Sequence, residues 1–248
     1  MLLLLTIMQL FLTEIPRIEE TSLQQVQHQT TISTTEEDVT KDGRKEKIEL
    51  HGTYLSETTT FLKDVSISIT NETNKKWHIA LKEGYDPTVS FIDITNNGKM
   101  NIVYKVALNK ERTMYDTQIY EFQHGSFKKI PLPQPVQLDG KFQHGFKVIL
   151  RDPIKNDKFE VGLDGKEDQY TKANIYDTNG TLLKKQKVQI SPIINTETLT
   201  IHTANGYSIK TTQFVAGIDE YDLLAKIDSI YHYKNGKWTL IKQNFEHM

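Results

Sequence analysis

From Lys47 onward, apolar side chains recur at every second position, the period of a strand with one buried face. Segment 64–70 (DVSISIT) puts Val65, Ile67 and Ile69 on one side. Segments 158–162 (KFEVG), 185–190 (KQKVQI) and 198–202 (TLTIH) repeat the pattern. Segment 231–241 (YHYKNGKWTLI) predicts a hairpin, because Asn235-Gly236 suits a two-residue turn between alternating flanks. Asn179-Gly180 marks a second turn, and Asp139-Gly140 and Asp164-Gly165 are weaker signals. No segment carries three turns of helical periodicity; the best short candidate is 219–227 (DEYDLLAKI). The expectation is an all-β, antiparallel domain over residues 47–248, with about fourteen short strands. They would form a small or incomplete β-propeller or, as the alternative, a β-sandwich.

The first 46 residues break this pattern. Residues 1–12 (MLLLLTIMQLFL) carry no charge. That run is too short to span a bilayer, which takes about 20 apolar residues, but has the length of a signal-peptide core. No basic residue precedes it, and no small-x-small site follows it. It is read as a signal-like or anchor segment. Residues 13–46 hold only six aliphatic residues, Ile15, Ile18, Leu23, Val26, Ile32 and Val39. So little apolar surface does not offset the entropy of ordering a chain, and the stretch reads as a polar linker. A loose helix over 18–29 is the alternative.

Composition narrows the function classes. The net charge is −2, which lacks the basic surplus of a nucleic-acid binder. With no cysteine, disulfides, thiolate metal sites, a cysteine nucleophile and a lipid-modified cysteine anchor are excluded. Eight histidines occur without zinc-ligand spacing. His124 and His144 sit in an echoed Phe-Gln-His-Gly, read as a shared turn geometry, with a paired histidine site as the alternative. No nucleophile elbow, P-loop or dinucleotide fingerprint is present.

Residues 93–101 (DITNNGKMN) carry the one patterned candidate site. Asp93, Thr95, Asn97 and Asn101 can offer side-chain oxygens, Lys99 a backbone carbonyl, and Gly98 the sharp turn of a calcium loop. Asp93 is the only carboxylate, so affinity would be on the order of millimolar. The plainer reading is a turn whose polar side chains bond to their own backbone.

An apolar strand precedes this loop and another follows it, and Tyr120-Glu121-Phe122 with Gly125 and Phe127 comes next. The arrangement resembles the FG-GAP, or VCBS-type, repeat of integrin-like β-propellers. The chain is also similar to secreted or envelope proteins of low-GC Gram-positive bacteria that carry one such loop. Gly84-Tyr85-Asp86-Pro87 precedes the loop; Gly206, Gln213, Val215, Gly217 and Tyr233-Lys234-Asn235-Gly236-Lys237-Trp238 follow. The likeness covers about residues 75–245. Asparagines 97 and 101 replace the acids usual at those positions, and Lys105-Val106-Ala107-Leu108 replaces a glycine-rich run. The resemblance implies export and brings no enzymatic activity.

The leading expectation is a non-catalytic, exported or cell-envelope binding or structural protein. Its candidate partners are a cell-wall polymer or another envelope protein, with membrane association through residues 1–12. No cofactor is expected beyond weak calcium. One alternative is a hydrolase of cell-wall polymers using Asp219, Glu220 or Asp222, although neighbouring residues of a strand point to opposite faces. A calcium-stabilised module is the other. Tyr231, Tyr233 and Trp238 read as cross-strand core, with a sugar-stacking platform as the functional alternative.

Overall fold

The computed structural model describes residues 29–153, 157–201 and 206–248. Residues 1–12, read as signal or anchor, lie outside the described residues, as does most of the helix alternative over 18–29.

The fold is all-β and antiparallel, and the longest sheet is curled. That sheet contains β1 (Thr30–Glu37), β2 (Glu46–Tyr54), β3 (Phe61–Thr70), β4 (Lys76–Ala80), β5 (Gly84–Ile92), β6 (Asn101–Ala107), β7 (Tyr115–Gln123) and β8 (Ser126–Ile130). The path runs β1-β2-β3-β5-β6-β7-β8, while β4 pairs with the far half of β3. A three-stranded sheet follows: β9 (Asp139–Gln143), β10 (Lys147–Arg151) and β11 (Lys158–Gly162). After one short helix, α1 (Glu167–Lys172), come β12 (Gln189–Ile190), β13 (Asn195–Ile201), β14 (Gly206–Ala216), β15 (Leu223–Lys234) and β16 (Lys237–His247). These form the third sheet, in which β12 and β13 both pair with β14.

The alternation places the cores. Val65, Ile67 and Ile69 of β3 face the inside of the curl with Ile48, Leu50, Tyr104 and Val106. A second core joins the three-stranded sheet, α1 and the third sheet through Phe142, Leu150, Tyr170, Tyr176 and Ile227. A third lies between the first and third sheets, built from Ile94, Val103, Ile119, Ile209 and Tyr231. β6 therefore feeds two cores, Tyr104 to one side and Val103 to the other.

Four readings of the sequence change. The linker does not reach residue 46: Thr30–Glu37 is a strand paired along β2, and Val39 is fully buried. An edge strand is held by its backbone ladder and by β-branched threonines, so Ile32 alone suffices as its contact with the core. The helix candidate at 219–227 is a turn followed by β15, in which Ala225, Ile227, Ser229 and Tyr231 are buried at period two. Asp139-Gly140 opens β9 rather than forming a turn. In segment 185–190 only Gln189–Ile190 is paired as strand.

Buried Glu46 fastens β1 to the rest. Its carboxylate accepts the backbone N–H groups of Val39 and Thr40 at 3.1 and 3.3 Å and the Thr40 hydroxyl at 3.1 Å. Burial raises its pKa, only partly offset by those donors. The folded state therefore favours the protonated form. This contribution to stability is full below the unfolded pKa, near 4.3, and is lost as pH rises through the folded value. Glu46→Gln keeps an acceptor for both amides and removes the buried charge, so urea unfolding at pH 7 is expected to give wild-type stability or better. Glu46→Ala leaves the Thr40 amide without its acceptor and Val39 with the Glu37 carbonyl alone, and is expected to cost about 1–3 kcal/mol. Equal losses in both variants would refute this account of the clasp.

Candidate functional site

The loop between β5 and β6 folds onto its own side chains. Asp93 accepts the backbone N–H of Asn97 through Oδ1 at 3.0 Å and that of Gly98 through Oδ2 at 2.7 Å. Asn97 Oδ1 accepts from the Lys99 amide at 2.9 Å, and Asn101 Oδ1 from the Thr95 amide at 3.2 Å. These bonds are those of a polar turn satisfying its own backbone. Lys41, from the segment between β1 and β2, donates to the Asn97 carbonyl at 3.0 Å.

One residue adds to the motif. Glu121 lies on β7, is 5% exposed, and turns its carboxylate toward the loop. Its Oε1 accepts from Asn97 Nδ2 at 2.6 Å, and Oε2 accepts from Gln123. Thr95 Oγ1 stands 3.4 Å from Glu121 Oε1, 3.4 Å from Asp93 Oδ1 and 3.5 Å from Asn101 Oδ1. One hydroxyl proton cannot serve three acceptors, so these four oxygens suit a hard cation with two carboxylates to balance it. Asn97 does not join them: its amide nitrogen faces Glu121, and its oxygen is held by Lys99 N–H. The expected donor set thus fits in part, with Asp93, Thr95 and Asn101 converging and Glu121 added. The alternation of β7 carries the signal for Glu121, since it follows Thr117 and buried Ile119 on one face. Knowing that this face meets another sheet takes the fold.

The opposite wall is the β15–β16 hairpin. Asn235 and Gly236 take φ values of 52° and 76° and close the turn predicted from sequence, with Tyr233 opposite Trp238. These rings meet edge to face at 4.9 Å, and Trp238 Nε1 donates to the Pro131 carbonyl at 2.7 Å. Burial, with the Glu121 charge second, raises the Tyr233 pKa. Between the walls lies a cleft of about 920 Å³. Thr95, Asn96, Asn97, Lys99, Glu121 and Gln123 line one side, and residues 232–236 the other. Asn96 ties the loop to β14, the strand beside the hairpin: its Oδ1 accepts from the Tyr207 amide at 2.8 Å, and its Nδ2 donates to the Tyr207 carbonyl at 3.2 Å. A Cβ on Gly206 would come within 1.9 Å of Asn96 Oδ1, which accounts for glycine there.

The other candidates lie elsewhere. Asp222 is buried, bonded to the Tyr170 hydroxyl, to Lys166 Nζ at 2.9 Å and to the Ile218 amide at 3.0 Å. Gly217 gives this cluster room, since a Cβ would sit 1.9 Å from the Tyr170 oxygen. Asp219 accepts from the Tyr221 and Asp222 amides, and Glu220 is exposed on the same turn. None of the three lines the cleft. His124 sits in the β7–β8 turn, whereas His144, between β9 and β10, accepts from the Leu182 amide at 3.0 Å. The echoed histidines thus serve hairpins of different sheets.

Residues 136–246 match the model of the YybI C-terminal domain family. This match includes the hairpin wall of the cleft and omits the loop and Glu121. No curated protein and no solved structure matches the chain.

The Asp222 cluster sets an acid limit. Burial alone would raise this carboxyl, but Tyr170, the Ile218 amide and Lys166 outweigh it and hold the pKa below its ordinary value. The contribution is present above the unfolded pKa, near 3.9, and is lost as pH falls through the lower folded value. Asp222→Ala is expected to cost about 2 kcal/mol at pH 7, because it leaves the buried Tyr170 hydroxyl and the Ile218 amide without their acceptor, while Lys166 keeps the Leu223 carbonyl. It should also flatten the loss of stability below about pH 4 seen in thermal melts. An acid limb unchanged in the variant would place the dependence in other groups.

Proposed function

We propose that the protein is a non-catalytic module, exported or held at the cell envelope, that binds a polar, sugar-containing cell-wall polymer in the cleft between the 93–100 loop and the β15–β16 hairpin. The observation that carries this reading is the make-up of the walls. The exposed amides of Gln123 and Asn235 offer donors and acceptors suited to neighbouring hydroxyls, and the Tyr233 ring is braced by Trp238. Glu121 is the only carboxylate among the described lining residues, whereas glycoside hydrolysis uses a pair. Lys99 and Lys234 stand at the same cleft and favour a neutral or mildly anionic polymer. The uncharged run over residues 1–12 and the likeness to exported Gram-positive proteins support the location.

The propeller-like reading has support of the same kind. β5–β8 and β13–β16 are each four antiparallel strands in chain order, and they pack on one another through Ile94, Ile119, Ile209 and Tyr231. We read them as two blades of an incomplete propeller, with the three-stranded sheet beside them.

Titration of purified peptidoglycan fragments into the full chain is expected to show binding without release of shorter sugars. Affinity should fall about tenfold in Tyr233→Ala and in Asn235→Ala. Absence of binding would overturn the reading, and release of reducing ends would replace it with the hydrolase.

A second reading, calcium at the loop, is favoured by the four oxygens around Thr95. Millimolar calcium is expected to raise the melting temperature of the wild type relative to chelator, and not that of Glu121→Gln. The same melting temperature in both conditions would remove calcium from the account.

A further inference from the structure

The register of the first sheet brings one set of strand ends to a common edge. Thr30 lies opposite Gly52, Tyr54 opposite Leu62, Phe61 opposite Tyr85, Tyr85 opposite Ala107, and Ala107 opposite Tyr115. The start of β1, the end of β2, the starts of β3 and β5, the end of β6 and the start of β7 therefore share one end of the sheet. At the other end Glu37 faces Glu46, Ile92 faces Asn101 and Gln123 faces Ser126. Loop 93–100 and the cleft lie there. Strands of seven to ten residues keep the two ends ~25–30 Å apart.

The end away from the cleft is apolar at its tips. Tyr54 and Leu55 enter the β2–β3 turn at 45% and 43% exposure, and Leu108 and Met114 flank the β6–β7 turn at 39% and 40%. These are four of the nine large hydrophobic side chains that stand exposed among the described residues. The charges around them cancel rather than attract: Arg112 is paired with Asp86, and Lys110 stands next to Glu111. The polypeptide also enters the fold at this end, since Gln29 directly precedes β1. Upstream, the sixteen residues 13–28 span at most ~55 Å before the uncharged run 1–12.

We infer that this end of the first sheet rests on a lipid bilayer. Tyr54, Leu55, Leu108 and Met114 enter the interfacial layer, and the cleft is held on the far side, facing away from the membrane. The inference rests on the envelope location proposed above. A bilayer accepts several separate apolar tips in one plane without requiring a shaped groove, and an aromatic ring beside aliphatic groups suits the headgroup boundary. Two weak attachments, an apolar N-terminal run and a set of tips, add to a stable one. Orientation then follows from geometry alone.

The absence of cysteine makes the test direct. Single-cysteine full chains, Leu55→Cys, Leu108→Cys and Asn235→Cys, are labelled with an environment-sensitive dye and mixed with phosphatidylglycerol–phosphatidylethanolamine vesicles. Dyes at positions 55 and 108 are expected to shift to the blue and to be quenched by lipids carrying a nitroxide near the headgroup; the dye at 235 is expected to do neither. Failure of the chain to bind vesicles overturns the inference. So do dyes that all stay in water, or a dye at 235 that enters the lipid. Peptidoglycan titration on the chains labelled at 55 and 108, which leave the cleft untouched, separates the two claims: lost sugar binding with the tips still inserted would sink only the cleft assignment.

Discussion

The molecule depends on a strand buried on both faces. β6 sends Ile102, Tyr104 and Val106 into the curled sheet's core and Val103 into the core shared with the third sheet. Most strands here have a wet side; this one has none to speak of, so a one-residue register slip would send each side chain into the core shaped for the other face. Its start, Asn101, also anchors the loop that forms one wall of the cleft, and its neighbour β7 delivers Glu121. The cleft is therefore fixed by the same packing that holds the sheets together.

Three of the four buried carboxylates among the described residues show how the chain manages charge in that interior. Glu46 is satisfied by two backbone amides and a hydroxyl and carries a raised pKa. Asp222 meets a lysine, a tyrosine hydroxyl and an amide and carries a lowered one. Glu121 is different: side-chain amides and a threonine hydroxyl surround it, and no ion pair reaches it among the described residues. The first two are locked into structure. The third keeps an uncompensated charge at the wall of a cleft, where a ligand or cation can answer it.

What could be read along the chain was local. Asn235-Gly236 announced its turn because both residues tolerate positive φ, and Val65, Ile67 and Ile69 announced β3 by their period. Asp93–Gly98 was legible as a self-bonded turn for the same reason. β1 was not, because its threonines say little about burial and its partner lies beyond the eight residues 38–45. The start of β15 offered the best short helix candidate because Leu223-Leu224-Ala225 suits either period until the alternation continues to Tyr231. Glu121 and Lys41 were invisible for a further reason: their roles belong to contacts made by residues 24 to 56 positions away. The glycine and glutamine spacing before β15 was noticed as a likeness, and its causes are steric and polar. Gly217 clears Tyr170, and Gln213 bonds to the backbone of Val136 and Ser191.

The pair of hydrogen bonds from Asn96 to both backbone groups of Tyr207 has a thermodynamic consequence. The loop and β14 are clipped to each other across 111 residues of chain before anything arrives. On the binding reading proposed above, a guest would meet a loop whose position is already set, and little of its contact energy would be diverted into ordering the host. Selection falls on the guest's own width, and residence time rather than encounter frequency becomes the quantity that separates a good occupant from a poor one.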